Sequence, residues 1–215
     1  MRPCDTPGGR RARLLICTGV LALSTGLANA DEMTCGPLKN AFGPFDSRVA
    51  ETADKAIVEG RHFTRKVERL QGGETGLLGH DLDYTLRAFP NHPRALMSMS
   101  RLAIRDRQPQ PPGANYPIDC YFDRAFRFVP DDPWPLVLYG LHLERAGRDS
   151  EAPGYLDKAA RLGSKDPNVN YNLGLGYLDL KQYEKALAHA KLAYAAGFPL
   201  PGLRDRLKQV GAWKE

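Results

Sequence analysis

The sequence predicts an all-α fold made of stacked helix–turn–helix units, and the first observation behind this is a repeat. Pro133 and Pro167 each follow an aspartate and lie 34 residues apart. The residues behind them match in the same register: Tyr139-Gly140 with Leu173-Gly174, Leu143 with Tyr177, Ala152 with Ala186, and Ala159 with Ala193. A repeat of this length is typical of a helical unit that buries its apolar faces only by stacking on copies of itself.

The second observation is helical periodicity inside each unit, and the third is the placement of small residues. Leu136, Tyr139, Gly140 and Leu143 recur at i, i+3, i+4 and i+7, which places them on one face of a helix. Glycine and alanine stand where two helices of a unit must cross closely. Together these patterns predict two helices per unit, the first one opened by proline.

Residues 1–30 have the pattern of a signal peptide. Three arginines (Arg10, Arg11 and Arg13) precede a short apolar run, and Ala28-Asn29-Ala30 supplies the small residues of a cleavage site. The run is too short to span a bilayer. We therefore expect cleavage after Ala30 and export of the chain to the periplasm, with no membrane span in the rest of the chain.

Cleavage would change the charge of the chain. The signal contains four of the 30 basic residues and one of the 25 acidic residues, so 26 basic and 24 acidic residues remain, a net charge of +2. Nucleic-acid binding needs a clustered basic surface, and a nearly neutral chain gives no charge-based argument for it. The expected mature chain of 185 residues is long enough for one domain with a sizeable core.

Residues 31–58 are predicted to be an irregular N-terminal segment, because residues 31–47 are rich in glycine and proline. Only Cys35 and Cys120 remain after cleavage. In an oxidising compartment we favour a disulfide between them, which would fasten the N-terminal segment to a helix. The alternative is two unpaired thiols, one exposed and one buried.

Residues 59–92 and 93–132 are predicted to form two less regular units. In the first unit, we expect one helix near Phe63 to Leu70 and a second one that contains Leu78, Leu82 and Leu86. In the second unit, Pro93 opens the first helix, and residues 108–113 form a polar, proline-rich loop. Asp119 and Cys120 begin the helix after this loop.

Residues 133–166 and 167–200 are the two regular units, and residues 201–215 are predicted to be a capping helix. Ala146-Gly147-Arg148 separates the helices of the first regular unit, and Leu180-Lys181-Gln182 those of the second. In the last segment, apolar residues recur at helical spacing between charged ones, which is typical of the polar-faced end of a repeat array.

These residues resemble the tetratricopeptide repeat (TPR) superfamily. The resemblance rests on Leu136-x2-Tyr139-Gly140-x2-Leu143…Ala152…Leu156-x2-Ala159 and on Leu173-Gly174-x2-Tyr177…Tyr183-x2-Ala186…Ala193. It departs from the family at Asn170, where a bulky apolar residue is usual. The resemblance implies a right-handed α-solenoid of about three to four units with a C-terminal capping helix. It also implies an exported bacterial TPR protein that acts as a non-catalytic adaptor or scaffold, in the sphere of envelope assembly or export.

The family binds its partners in a concave groove lined by the first helix of each unit. Carried over residue by residue, the resemblance implies a groove that combines arginines, a tryptophan, aliphatic residues, amides and a tyrosine: Arg94, Met97, Arg101, Arg105, Trp134, Val137, Leu141, Arg145, Asn168, Tyr171, Asn172 and Leu175. Such side chains suit a protein or peptide segment with an acidic end. The alternative is that Leu138, Leu141 and Leu175 pack on neighbouring helices and that the arginines are a solvated face. The sequence predicts neither the identity of the partner nor the oligomeric state.

No catalytic motif, metal-ligand spacing or cofactor-binding motif stands out, so we expect no enzyme and no cofactor. The densest polar cluster is His80-Asp81-Leu82-Asp83. Since Leu82 shares the apolar side of its helix, we expect both carboxylates to point outward. A metal or acid–base site there is a minority hypothesis. The main alternative function is an accessory subunit that binds cell-wall glycan or polysaccharide through Trp134 and Tyr171.

Overall fold

The computed structural model describes residues 35–214. The fold of this part of the chain is all-α, as predicted, with ten helices and no strand: α1 Thr52–Arg61, α2 Arg65–Glu68, α3 Leu78–Ala88, α4 Pro93–Asp106, α5 Ile118–Phe128, α6 Pro133–Arg145, α7 Ala152–Leu162, α8 Pro167–Asp179, α9 Tyr183–Ala195 and α10 Gly202–Gln209. None of these helices is long and apolar enough to cross a membrane. The predicted signal peptide and its cleavage site lie outside the described residues.

The two regular units consist of the helix pairs α6–α7 and α8–α9. The helices of each pair pack on each other, and α8 also packs on both helices of the preceding pair. The aspartates of the repeat explain where α6 and α8 begin. Asp132 accepts a hydrogen bond from the backbone N–H of Trp134 at 3.0 Å, and Asp166 accepts one from that of Asn168 at 2.8 Å. Each aspartate caps a helix whose first residue is proline.

Gly140 and Gly174 mark two close contacts between helices. A Cβ atom on Gly140 would lie 2.6 Å from Cδ2 of Leu156 on α7. A Cβ atom on Gly174 would lie 2.4 Å from Cδ2 of Leu203 on α10. The glycines of the repeat are therefore required by helix packing, since any side chain would displace a buried leucine.

The N-terminal part differs from the prediction in two ways. The irregular segment ends before residue 58, because α1 begins at Thr52 and buries Val58. The helix expected between Phe63 and Leu70 is a single turn, α2. The chain turns at Leu70 with a φ of 58°, and the glycines that follow give the backbone no preference for a helix.

The polar loop between α4 and α5 folds back over the start of α3. A Cβ atom on Gly79 would lie 2.4 Å from the carbonyl oxygen of Pro112, so the loop backbone directly contacts the helix. The side chain of Asn115 donates a hydrogen bond to Oδ2 of Asp83 on α3 at 2.9 Å. The extra residues of this unit therefore cover α3.

The structure contains the predicted Cys35–Cys120 disulfide, so the hypothesis of two free thiols is wrong. Both cysteines are buried. Arg124, one helical turn after Cys120 and itself buried, donates hydrogen bonds to the carbonyl oxygens of Cys35 at 3.0 Å and Pro37 at 2.7 Å. The disulfide and this arginine together fasten the N-terminal segment to α5.

The C-terminal helix α10 covers the end of the second regular unit. Leu203 and Leu207 are fully buried against α8 and α9, and Trp213 packs against the same cluster. Val210, which the spacing placed on the same face, is exposed, because α10 ends at Gln209. The last residues of the predicted apolar stripe therefore lie beyond the helix.

Candidate functional site

The residues predicted to form a groove lie on the first helices of three successive units, α4, α6 and α8. Ten of the twelve have side chains that solvent reaches in the described part of the chain: Arg94, Met97, Arg101, Arg105, Trp134, Arg145, Asn168, Tyr171, Asn172 and Leu175. These ten residues define the surface that is called the A-helix surface below.

The other two residues, Val137 and Leu141, are buried and cannot contact a partner. Both belong to the cluster that joins α6 to its neighbours. Cδ2 of Leu141 lies 3.3 Å from where a Cβ atom on Gly176 of α8 would be, so this side chain packs between the two helices. For Leu141 the alternative of core packing is correct, and the place of both residues in the predicted groove was wrong.

The three arginines of α4 are already engaged by the chain itself. Arg94 forms ion pairs with Glu59 at 3.0 Å and Glu68 at 3.2 Å. Arg101 donates a hydrogen bond to the carbonyl oxygen of Glu68, and Arg105 donates one to that of Leu70 at 3.1 Å.

These bonds hold α2 against α4. Carbonyl groups at the end of a helix have no partner within the helix, so the two arginine bonds satisfy groups that would otherwise need water. The three arginines of α4 thus serve partly to hold α2 in place. Only the exposed part of each guanidinium group is available to a partner.

Trp134 lies at the start of α6, the middle one of the three helices that carry the A-helix surface. Its side chain is half-buried, and its indole Nε1–H donates a hydrogen bond to Oδ2 of Asp166 at 3.2 Å. Asp166 thus caps α8 and also orients the indole of the preceding unit. The tryptophan is held in one position with part of its ring accessible, which suits an anchor for a bound segment.

The C-terminal part of the surface presents amides beside a tyrosine. Nδ2 of Asn172 donates to the carbonyl oxygen of Asn168 at 2.9 Å, while Oδ1 of Asn172 has no hydrogen-bond partner among residues 35–214. This oxygen can accept a hydrogen bond from the backbone of a bound segment. The ring of Tyr171 stacks on Phe198 with 4.0 Å between ring centroids, so one of its faces is covered.

A cleft of about 570 Å³ lies where α4, α6 and α8 begin. Its amide, histidine and carboxylate groups are paired with other residues of the chain. Buried Asn91 donates to Asp46 at 2.7 Å and to Asp132 at 2.9 Å. His92 hydrogen-bonds Glu59 at 3.0 Å, and this bond is the largest cause that lowers the pKa of Glu59 to about 2. The carboxylates here cap helices and join units.

The prediction that Asp81 and Asp83 point outward was wrong, because both are completely buried. Asp81 accepts hydrogen bonds from the backbone of Glu74 and Thr75, from the Thr75 hydroxyl and from Nδ1 of His62. Burial alone would raise the pKa of Asp81, but the bonds from Thr75 and His62 outweigh it and lower the pKa. The carboxylate is thus ionised and saturated with donors.

Asp83 is saturated in the same way. It accepts hydrogen bonds from the Tyr121 hydroxyl at 2.6 Å, from Nε of Arg87 at 2.8 Å and from Asn115. His80, by contrast, is exposed, and the Thr75 hydroxyl, at 3.2 Å, is the one hydrogen-bond partner of its ring among residues 35–214. The two aspartates join segments that are far apart in sequence to α3. The periodicity of α3 alone could not predict these contacts, because the partner residues lie outside the helix.

Residues 35–214 contain no group of three or more histidine, cysteine, aspartate or glutamate side chains arranged to hold a metal ion. Comparison of the chain with models of protein families, with curated proteins and with solved structures finds no match. Arguments about function therefore rest on the residues and their geometry.

Proposed function

We propose that this chain is a scaffold of the TPR type, a right-handed helical array that binds a segment of another protein along its A-helix surface. The observation that carries the proposal is the packing of α6–α7 and α8–α9 as two pairs in one 34-residue register. A stack of such pairs places the first helix of each unit side by side, and an extended segment can then contact several units at once.

The contacts expected from the partner follow from what is accessible. Met97, Trp134 and Leu175 offer apolar anchors, Asn172 offers a free amide oxygen, and exposed Arg145 offers positive charge. We expect a segment with apolar side chains and at least one carboxylate, because a charged hydrogen bond to arginine is stronger than a neutral one. The burial of Val137 and Leu141 makes this surface shallower at its centre than the resemblance implied.

The proposal includes export to the periplasm as a non-catalytic adaptor. The pattern of residues 1–30 supports export, and a buried disulfide is typical of an oxidising compartment. The saturated state of Asp81 and Asp83 supports a structural role for the polar cluster. An acid–base site needs a group that is free to exchange a proton with a substrate.

Glycan binding is less well supported. Sugars bind to open aromatic faces, but one face of Tyr171 is covered by Phe198, and the Trp134 indole is half-buried and bonded to Asp166. We therefore keep polysaccharide binding only as an outcome of the experiments.

Co-purification with a matched pair of variants tests the proposal. Asn168→Arg combined with Asn172→Arg adds two bulky charges to the A-helix surface. Lys191→Glu changes charge on the exposed side of α9, where Lys191 has no hydrogen bond or ion pair with described residues. We expect a protein that co-purifies with the wild-type chain and with Lys191→Glu to be lost from the double variant. If all three chains retrieve the same proteins, the A-helix surface is not the binding site.

A further inference from the structure

A second cleft, of about 520 Å³, lies at the other ends of α4 and α6, next to the start of α5. Its walls include three arginines, a histidine and two isoleucines: Ile104, Arg107, Ile118, His142, Arg145 and Arg148. We call it the arginine cleft. It shares Arg145 with the A-helix surface but is otherwise made of different residues.

The arginine cleft has an excess of positive charge. Asp119 is the one acid in its lining, and both of its oxygens accept hydrogen bonds from Arg148, at 2.8 and 3.0 Å. The guanidinium groups of Arg107 and Arg145, both exposed, form no hydrogen bond and no ion pair with any residue between 35 and 214. Two guanidinium groups in the cleft are therefore available to an anion.

The floor of the cleft contains a buried imidazole with one unused nitrogen. His142 is only 3% exposed, and its Nδ1 hydrogen-bonds the Ser100 hydroxyl at 2.8 Å. His142 lines the cleft, and its Nε2 has no hydrogen-bond partner among the described residues. When the Ser100 hydroxyl donates to Nδ1, Nε2 carries the proton and is an unused donor. Packing of the ring beside Phe122 and Tyr139 fixes its orientation.

The remaining walls are apolar. Ala103, Ile104, Pro109 and Ile118 line the cleft beside the polar groups. The backbone N–H of Ile118 donates to the carbonyl oxygen of Pro109 at 2.7 Å, which ties the loop to the start of α5 and preforms this wall. A site with apolar walls and a few convergent donors is suited to a small molecule with one polar end.

We propose that the arginine cleft binds a small organic anion, in which a carboxylate or phosphate group is attached to a compact apolar body. Arg107, Arg145 and Nε2–H of His142 bind the anionic group, and Ile104 and Ile118 pack on the body. The inference does not rest on the scaffold function proposed above. The two share Arg145, so a protein bound to this residue would compete with the small anion.

Titration of the purified protein with defined probes tests this. The probes are phenyl phosphate, benzoate and inorganic phosphate, with benzamide as the uncharged control, each followed by calorimetry and by NMR of the histidine rings. We expect saturable one-to-one binding of phenyl phosphate or benzoate, with a shift of the His142 resonances and no response to benzamide. The probe that binds with the higher affinity, phenyl phosphate or benzoate, shows whether the cleft prefers a phosphate or a carboxylate group. Weaker binding of inorganic phosphate than of phenyl phosphate would measure the contribution of the apolar wall.

Single charge removals provide the specificity test. Arg107→Gln and Arg145→Gln should each weaken binding by on the order of tenfold, because each removes a charged hydrogen bond. Both residues are exposed, so the fold should persist, which near-UV circular dichroism can verify. Arg161→Gln is the matched control, since Arg161 is exposed on α7 and also lacks a hydrogen bond or ion pair with described residues.

Two results would overturn the proposal. One is the absence of saturable binding of any of the three anions at millimolar concentration and low salt. The other is binding that Arg107→Gln and Arg145→Gln leave unchanged, or that Arg161→Gln weakens equally. Neither result depends on a protein partner, so this proposal and the scaffold function can fail separately.

Discussion

Removal of the Cys35–Cys120 disulfide should destabilise the fold mainly by its effect on the unfolded chain. The two cysteines are 85 residues apart in sequence. In the chain-entropy relation, a loop of this length corresponds to about 15 cal/mol/K, or about 4.5 kcal/mol at room temperature. That is a large share of the total stability of an ordinary domain, which is about 5–15 kcal/mol.

The native position of the N-terminal segment does not depend on the disulfide alone. Arg124 binds the carbonyl oxygens of Cys35 and Pro37, and Arg87 donates to Oδ1 of Asn40 at 2.9 Å. We therefore expect the variant Cys35→Ala/Cys120→Ala to keep its helical content while it loses roughly 3–4.5 kcal/mol in the free energy of unfolding.

Urea denaturation followed by circular dichroism measures this loss. The midpoint should fall, and the slope of free energy against urea should rise, because an unfolded chain without the cross-link exposes more surface. Wild-type protein in a reducing agent should give the same curve as the double variant. A loss below about 1 kcal/mol with an unchanged slope would refute the chain-entropy argument.

Two further perturbations test the electrostatics and the packing. Burial, with two neighbouring aspartates, raises the pKa of Glu144 to about 8 from 4.5. Between pH 4.5 and about pH 8, this carboxyl group therefore ionises in the unfolded chain before it does in the folded chain. The free energy of unfolding falls as the pH rises through this range. Glu144→Gln should be more stable than wild type by on the order of 2–3 kcal/mol near pH 8, allowing for partial exposure, and equally stable below pH 4.5. A difference in stability between Glu144→Gln and wild type that is the same at pH 4 and pH 8 would contradict the assignment. For the packing, Gly140→Ala should destabilise by about 1–3 kcal/mol because its new methyl group would overlap Leu156. Gly154→Ala, where nothing lies within 4 Å, should stabilise by about 0.5–1 kcal/mol. Thermal unfolding compares the two, and equal effects would refute the close-contact argument.

The sequence predicted the regular units well because their signals are local. Apolar spacing, a capping aspartate, an N-terminal proline and a glycine at the crossing all occur within one helix pair, so the breaks at Ala146–Arg148 and Leu180–Gln182 could be placed closely. Pairing of Cys35 with Cys120 could be predicted because residues 1–30, with the other two cysteines, were expected to be removed.

The N-terminal third was predicted less well because its structure depends on distant contacts. Val67 is fully buried, but the helix around it is one turn long. The burial of Asp81 and Asp83 depends on Thr75, Asn115 and other residues outside α3. A helical pattern assigns a carboxylate to an outer face when its neighbour is apolar, and it contains no information about loops that later cover that face.

The candidate site illustrates the same limit. The positions on the first helices were carried over by register. Register specifies the face of a helix on which a residue lies, but not how deeply that face is buried. Val137 and Leu141 lie on the predicted face, yet α8 packs so closely that they become core residues. The arginines of α4 were predicted to be exposed, which is correct, but their bonds to Glu59, Glu68 and Leu70 need the structure.

Site-specific photo-crosslinking in cells tests the central claim, binding of a protein segment to the A-helix surface, most directly. A photoreactive residue at position 172 reports on that surface, and one at position 191 reports on the exposed side of α9. The account predicts that one dominant protein is captured from position 172 and not from position 191. Equal capture from both positions, no protein from either, or glycan recovered from position 172 would contradict it.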